Sequence, residues 1–224
     1  MITSGSNPKL QLVRKLERRR YRDELALFAC EGEDLVAAGR EVGLEPVELL
    51  VAGENVLPEL LAAVSALPHP ARTIGVFRRD DLPRGARDVC LALWHVADPG
   101  NVGTLLRAAD AFGAAVALSA GCADPLGGKA LRASAGAVFR VPLLGFDEAP
   151  GRRIALVAHG GRPLPDVDLP GPVSFVLGAE REGLPDEVLA ACAETATIST
   201  PGPAESLNVA VAGALALYER SRRS

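Results

Sequence analysis

The stretch VCLALWHVADPGNVGTLLRAADAFG, residues 89–113, decides the fold. Its first eight residues form a continuous apolar run, as a strand buried on both faces requires. Pro99, Gly100 and Gly103 then make a tight exposed turn. Asn101 suits the cap of the helix that follows. Along that helix Leu105, Ala109 and Phe112 share one face, and Thr104, Arg107 and Asp110 share another.

Downstream, AAVALSAG, FRVPLLGF, RIALVAHG, PVSFVLGAE and ATIST read as further strands. LPDEVLAACA and SLNVAVAGALALYER read as helices. Several strands end in Gly or Asp just before a helix. That pattern describes an open, mostly parallel α/β sheet whose ligand crevice lies beyond the carboxyl ends of its strands. Upstream, Leu10, Val13 and Leu16 recur at helical spacing among basic residues. The strand candidates ALFACEG, PVELLVAG and RTIGVFRR then alternate with the helices EDLVAAGREVG and VLPELLAAVSAL, a smaller α/β unit. The charged stretch 78–88, with Pro83 and Gly85, reads as a connection. The expected division is a front domain at 1–80, a linker at 81–88 and a back domain at 89–224.

The 224 residues carry a net charge of −4, with 23% charged and 48% hydrophobic side chains. These values exclude a disordered chain, and no window has the apolar length of a membrane span. The start lacks the apolar stretch of a secretory signal. Cys30, Cys90, Cys122 and Cys192 are scattered, and no histidine or cysteine has metal-ligand spacing. Isolated thiols suit buried positions in a reducing cytoplasm, and no metal is expected. The charge is unevenly spread. Residues 1–22 carry +6, residues 218–224 carry +2, and the body between them carries −12. A basic arm on an acidic body suits a polyanionic partner. Lys9, Arg14, Arg18, Arg19, Arg20 and Arg22 are therefore its expected contacts with such a polyanion.

Two later stretches carry chemistry. In VSFVLGAEREGLP, residues 173–185, a buried strand runs into Gly178, with Glu180 at its end and Gly183 and Pro185 closing the loop. A glycine-bounded loop lets a ligand approach the backbone. In ISTPGPAESLNVAVAGALALYE, residues 198–219, Pro201, Gly202 and Pro203 hold a loop open before Ser206 and Asn208. The helix behind them is apolar on every side, so it is buried all round or shared with a second subunit. Ser206 and Asn208 either cap that helix or serve a ligand.

Together with the connecting piece KALRASAGAVFRVP, residues 129–142, these three stretches resemble the signature motifs of the SpoU (TrmH) family of RNA ribose 2′-O-methyltransferases, in the SPOUT superfamily. The resemblance covers residues 89–220. The arm and first unit resemble the ribosomal-protein-like α/β domain that binds RNA ahead of many such catalytic domains. The resemblance implies a deep trefoil knot that holds S-adenosylmethionine, and a homodimer whose second subunit completes the site. It implies catalytic roles for Asn101, Arg107, Glu180, Ser206 and Asn208. It also implies cofactor contacts from Leu177, Gly178, Gly183, Ile198, Ser206 and Leu207. Ala179 and Arg181 depart from the usual second motif.

Those residue types suit methyl transfer to a ribose hydroxyl, which depends on orientation. An arginine is not deprotonated in a protein. The resemblance implies the base for Arg107, against that general behaviour, so its protonation role stays open. It is expected to be the most sensitive residue, either as that base or as a cation that grips a phosphate and steadies a forming alkoxide. The expected substrate is structured RNA, with 23S rRNA ahead of tRNA. A non-catalytic RNA-binding protein on the same fold is the alternative of a different class. An oxidoreductase reading lacks a GxGxxG turn after a first strand.

Overall fold

The computed structural model describes residues 1–202 and 205–223. Pro203, one of the residues expected to hold the last loop open, lies outside them. Among the described residues the strands form two sheets.

The first sheet belongs to the front unit. Helix α1 (Pro8–Leu16) starts at Asn7, whose side chain accepts the Lys9 amide, and Pro8 fits its first turn. Helix α2 (Arg19–Leu25) follows. Then come β1 (Leu27–Glu31), α3 (Glu33–Glu41), β2 (Glu48–Val51), α4 (Pro58–Ala62) and β3 (Thr73–Arg78). The central β3 pairs antiparallel with both β1 and β2. Strands β1 and β2 therefore run parallel to each other on either side of β3, a split β-α-β unit. The periodic Leu10, Val13 and Leu16 are buried against Leu50, Leu61, Ile74 and Val76, which gives this unit its own small core.

The second sheet is wholly parallel. Its elements are β4 (Val89–Leu93), α5 (Pro99–Ala111), β5 (Ala115–Leu118), α6 (Gly128–Ser134), β6 (Leu143–Gly145), β7 (Arg152–Leu156), β8 (Arg162–Pro163), β9 (Val173–Leu177), α7 (Asp186–Ala190), β10 (Glu194–Thr197) and α8 (Val209–Ser221). The seven strands lie in the order β6-β5-β4-β9-β7-β10-β8. From β4 the chain first builds outward through β5 and β6, then returns to the far side. The order therefore switches between β4 and β9, where ligands of open α/β sheets bind. Leu91 and Leu93 face the core beneath α5 and α8, while Cys90 and Ala92 face the opposite cluster. Two helix contacts require glycine. A Cβ on Gly103 would stand 2.4 Å from the Ala130 carbonyl of α6, and one on Gly213 would stand 2.4 Å from Leu105.

The two units share a seam. Phe28 and Phe77 of the front sheet pack on Phe139, with ring centroids 5.9 and 5.0 Å from it. Leu126, Leu131 and Val138 complete the cluster. Leu82, within the stretch expected as a linker, is also buried there. A charged clasp lies beside it. Arg22 is only 6% exposed. Its Nε and Nη2 donate to Asp124 Oδ2 at 2.9 and 2.6 Å, and its Nη1 donates to the carbonyls of Leu16 and Glu17. This corrects the expectation for Arg22. Its guanidinium is spent inside the protein, where four hydrogen bonds offset the cost of burying its charge.

No helix among the described residues is long and apolar enough to cross a membrane. The four cysteines are free thiols. Burial pushes Cys90 up to about 11 and raises Cys30 as well, so neither is a nucleophile at neutral pH.

Candidate active site

The loop after β4 enters α5 differently from the sequence reading. Asp98, not Asn101, is the cap, and its Oδ1 accepts the Asn101 amide at 2.9 Å. That hydrogen bond, helped by Lys129 at 3.2 Å, holds the Asp98 carboxyl below its ordinary value. With capping done by Asp98, the Asn101 carboxamide is free to reach sideways.

It reaches both other motifs. Asn101 Nδ2 donates to Glu180 Oε1 at 2.7 Å. Asn101 Oδ1 accepts from Asn208 Nδ2 at 3.1 Å. Asn208 Oδ1 accepts the amides of Ala210 and Val211, capping α8. The polarity of this chain is fixed from one end. The two α8 amides need an acceptor, so Asn208 must present its NH2 to Asn101, and Asn101 must present its own to Glu180. Glu180 is thereby held as an acceptor at the switch point. Asn208 therefore caps α8 with its Oδ1 while its Nδ2 holds Asn101.

The loop after β9 is shaped by its glycines. Gly183 has φ of +68°, and a Cβ on Gly178 would stand 2.3 Å from the Gly183 carbonyl. The Gly183 amide closes the loop onto the Ala179 carbonyl at 3.0 Å. Any side chain at 178 would force this loop open.

A cleft of about 930 Å³ opens beside it, at the carboxyl ends of β9, β7 and β10. Leu177, Gly178, Gly183, Ile198, Ser206 and Leu207, the expected cofactor contacts, all line it, as do Glu180 and Asn208. Its apolar wall and its backbone-lined loops suit an adenosine moiety, and its size suits a cofactor of that class. The structure adds Val157, Ala158 and His159, just beyond β7. The sequence reading had RIALVAHG as a strand ending in glycine, but only the sheet order brings that end beside β9. A second hollow of about 660 Å³ lies in the front unit between α3 and β2, far along the chain from these motifs. Its charges Arg72 and Glu54 pair with each other.

Arg107 is exposed on α5 and is not part of the cleft wall. Asp110, one turn further on, is held by Arg140 through three contacts of 2.7–3.1 Å. The carboxylate best placed to neutralise Arg107 is therefore engaged elsewhere. In the arm, Arg14, Arg18, Arg19 and Arg20 are exposed. Lys9 pairs with Glu48 at 2.7 Å, and Arg19 with Asp23 at 3.7 Å. Among the described residues no group of three or more His, Cys, Asp or Glu side chains gathers as a metal site.

Comparison with known proteins agrees with this geometry. The pattern of the SpoU rRNA Methylase family matches residues 88–218. The chain belongs to the SpoU family. It is 30% identical to the 23S rRNA (guanosine(2553)-2′-O)-methyltransferase RlmP of Bacillus subtilis, over 97% of each chain. A TrmH-family RNA methyltransferase structure from Porphyromonas gingivalis superposes with a TM-score of 0.87 at 30% identity, covering all of both chains. The AdoMet-bound rRNA methyltransferase of Sinorhizobium meliloti superposes with a TM-score of 0.85 at 28% identity, over 99% of this chain and 97% of that one. This SpoU-family protein is accordingly an RNA 2′-O-ribose methyltransferase. The likeness extends through the front unit and is not confined to the catalytic sheet.

Proposed function

We propose that the protein transfers a methyl group from AdoMet to a ribose 2′-hydroxyl of 23S rRNA, with the basic arm of the front unit gripping the RNA. The observation that carries this is the hydrogen-bonded chain Glu180–Asn101–Asn208 at the mouth of the cleft. The full-length likeness to RlmP, front unit included, supports rRNA over tRNA.

AdoMet, when bound, supplies an electrophilic methyl on a sulfonium. Leu177, Ile198 and Leu207 would pack against its adenosine, and the 178–183 loop would offer it backbone groups. Glu180, oriented by Asn101, presents an acceptor toward the reacting groups. Arg107 holds the phosphate beside the target ribose through its guanidinium fork. Its charge also favours the hydroxyl oxygen as negative charge develops there. Ser206, exposed at the cleft edge, would touch cofactor or ribose.

The reading includes a homodimer and a threaded carboxyl-terminal segment. Val211, Leu215 and Tyr218 lie along one exposed stripe of α8, 48%, 39% and 52% accessible. A second subunit would cover that stripe. After β10 the chain turns back across the sheet, so that α8 packs on α5 and Leu177. That return supports the threading.

The test is to incubate the protein with labelled AdoMet and total RNA from cells lacking its gene. Ribose-bound label in 23S rRNA is expected. Label confined to tRNA would replace the substrate, and no label in any RNA would overturn the activity. Sedimentation at micromolar concentration is expected to give a dimer.

A further inference from the structure

At the end of β4, the strand beside β9, the backbone takes an uncommon turn. His95 has φ of +53°, in the left-handed region, although it is not glycine. Few residues other than glycine adopt this conformation, histidine more readily than most, and Ala26 and Ala135 share it in this chain at helix ends. Such strain persists only where the surroundings over-determine it, and it gathers at ligand-contacting positions. The surroundings here do hold the residue. Its imidazole stacks on Trp94, centroids 4.8 Å apart and planes 2° from parallel. Trp94 is itself braced edge-on by Phe146 at 5.0 Å. Gly121 also presses on the ring, because a Cβ there would stand 2.6 Å from Cδ2 of His95. The His95 amide donates to Ser119 Oγ at 3.0 Å.

Yet this fixed ring is exposed. Among the described residues its nitrogens make no hydrogen bond. Its address is informative. The Trp94 amide donates to the Leu177 carbonyl at 2.8 Å, so residue 94 lies against the strand end that carries Gly178 and Glu180. Three residues after His95 comes Asp98, the cap that frees Asn101. The imidazole thus stands on the crest of strand ends, on the side of the Glu180 loop away from the cleft. Burying an aromatic ring needs no left-handed backbone. Presenting an imidazole edge at a set place beside a reacting ribose is a use for one.

We infer that His95 is an RNA-contacting residue, whose imidazole hydrogen-bonds the nucleotide next to the methylated one. Trp94, Gly121 and Ser119 position it. This contact rests on the RNA-methylating reading of the site. Aromatic and histidine side chains at such places commonly engage splayed nucleotides.

The test exploits the strain. His95→Gly suits the left-handed backbone, so the variant is expected to melt at the wild-type temperature or above. Its AdoMet affinity should not change. Its KM for RNA should rise about three- to tenfold at unchanged kcat, the loss of roughly one hydrogen bond. Gly121→Ala, which displaces the ring and leaves residue 95 in place, should shift KM in the same direction. Gel-shift affinity for 23S rRNA fragments needs no turnover and separates the two readings. Wild-type protein that binds RNA and transfers no methyl refutes the activity alone. Equal RNA binding by wild type and His95→Gly overturns this contact, as does loss of AdoMet binding in the variant.

Discussion

The two ends of the proposed RNA path hold their polar side chains in opposite ways. In the arm, Arg14, Arg18 and Arg20 stand out in solvent, and the pairs of Lys9 and Arg19 are exposed ones. At the strand ends of the catalytic sheet, Glu180, Asn101 and Asn208 hold one another in a single arrangement, anchored on the α8 amides. An exposed cation grips a phosphate over a range of positions, and its pairs are worth little. A methyl transfer tolerates almost no displacement. The protein accordingly fixes the polar side chains at these strand ends and leaves most cations of the arm free to adapt. Arg22 belongs to the arm by sequence and to the interior by structure, and it joins the two regimes.

Variants break or sharpen this contrast. The largest effect is expected at the joint. Asp124→Ala leaves the Arg22 charge buried without its carboxylate, which should cost about 3 kcal/mol of unfolding free energy by chemical denaturation. Arg107→Ala should fold normally and bind AdoMet as before, since the side chain is outside the cleft. Its methylation rate should fall by about 100-fold, the loss of one stabilising charge at the reacting oxygen. Asn101→Ala cuts the chain between Glu180 and Asn208 and should lower kcat about tenfold or more with little change in RNA affinity. If its effect lay in RNA affinity, the contrast between gripping and orienting would fail. Arg18→Ala and Arg20→Ala should do the reverse. Each should weaken RNA binding a few-fold and lessen its salt dependence by about one released counterion, leaving kcat intact.

The smallest effect is expected at Asp98. Its pKa is lowered in the folded protein, so its contribution to stability is complete above the ordinary carboxylate range. It is lost as pH falls through the depressed value. Asp98→Asn keeps a capping oxygen and should slightly flatten the acid limb of thermal stability, which a melting series between pH 2 and 6 would detect (a range set by the usual carboxylate values).

How much of this was legible in the sequence depended on distance along the chain. The three motifs are local, so Asn101, Glu180 and Asn208 could be singled out, and the structure joins them by hydrogen bonds while Arg107 stands on α5 outside the cleft wall. The cap of α5 was misread even though the signal was local. Asp98 followed by Pro99 is the usual pattern of a cap and first helical residue, and Asn101 drew attention because it fits a cap equally well. The burial of Arg22 was not legible, because its partner lies 102 residues away and a run of arginines looks uniformly solvated. Nor was the part that β7 plays in the cleft, since sheet order is set by packing between distant strands. The apolar α8 reads as buried all round or shared with a second subunit. The structure buries one side of it and leaves Val211, Leu215 and Tyr218 uncovered.

The aromatic seam bears on how this architecture can be inherited. Phe28 and Phe77 on one side and Phe139 on the other make a single packed surface out of two units. Such a join is not modular. A front unit grafted from a relative would bring its own half of that surface and meet a mismatched remainder, with voids or overlaps in a buried contact. A change in which RNA is selected is therefore more readily reached by altering side chains on the outside of α1 and α2 than by exchanging the unit that carries them.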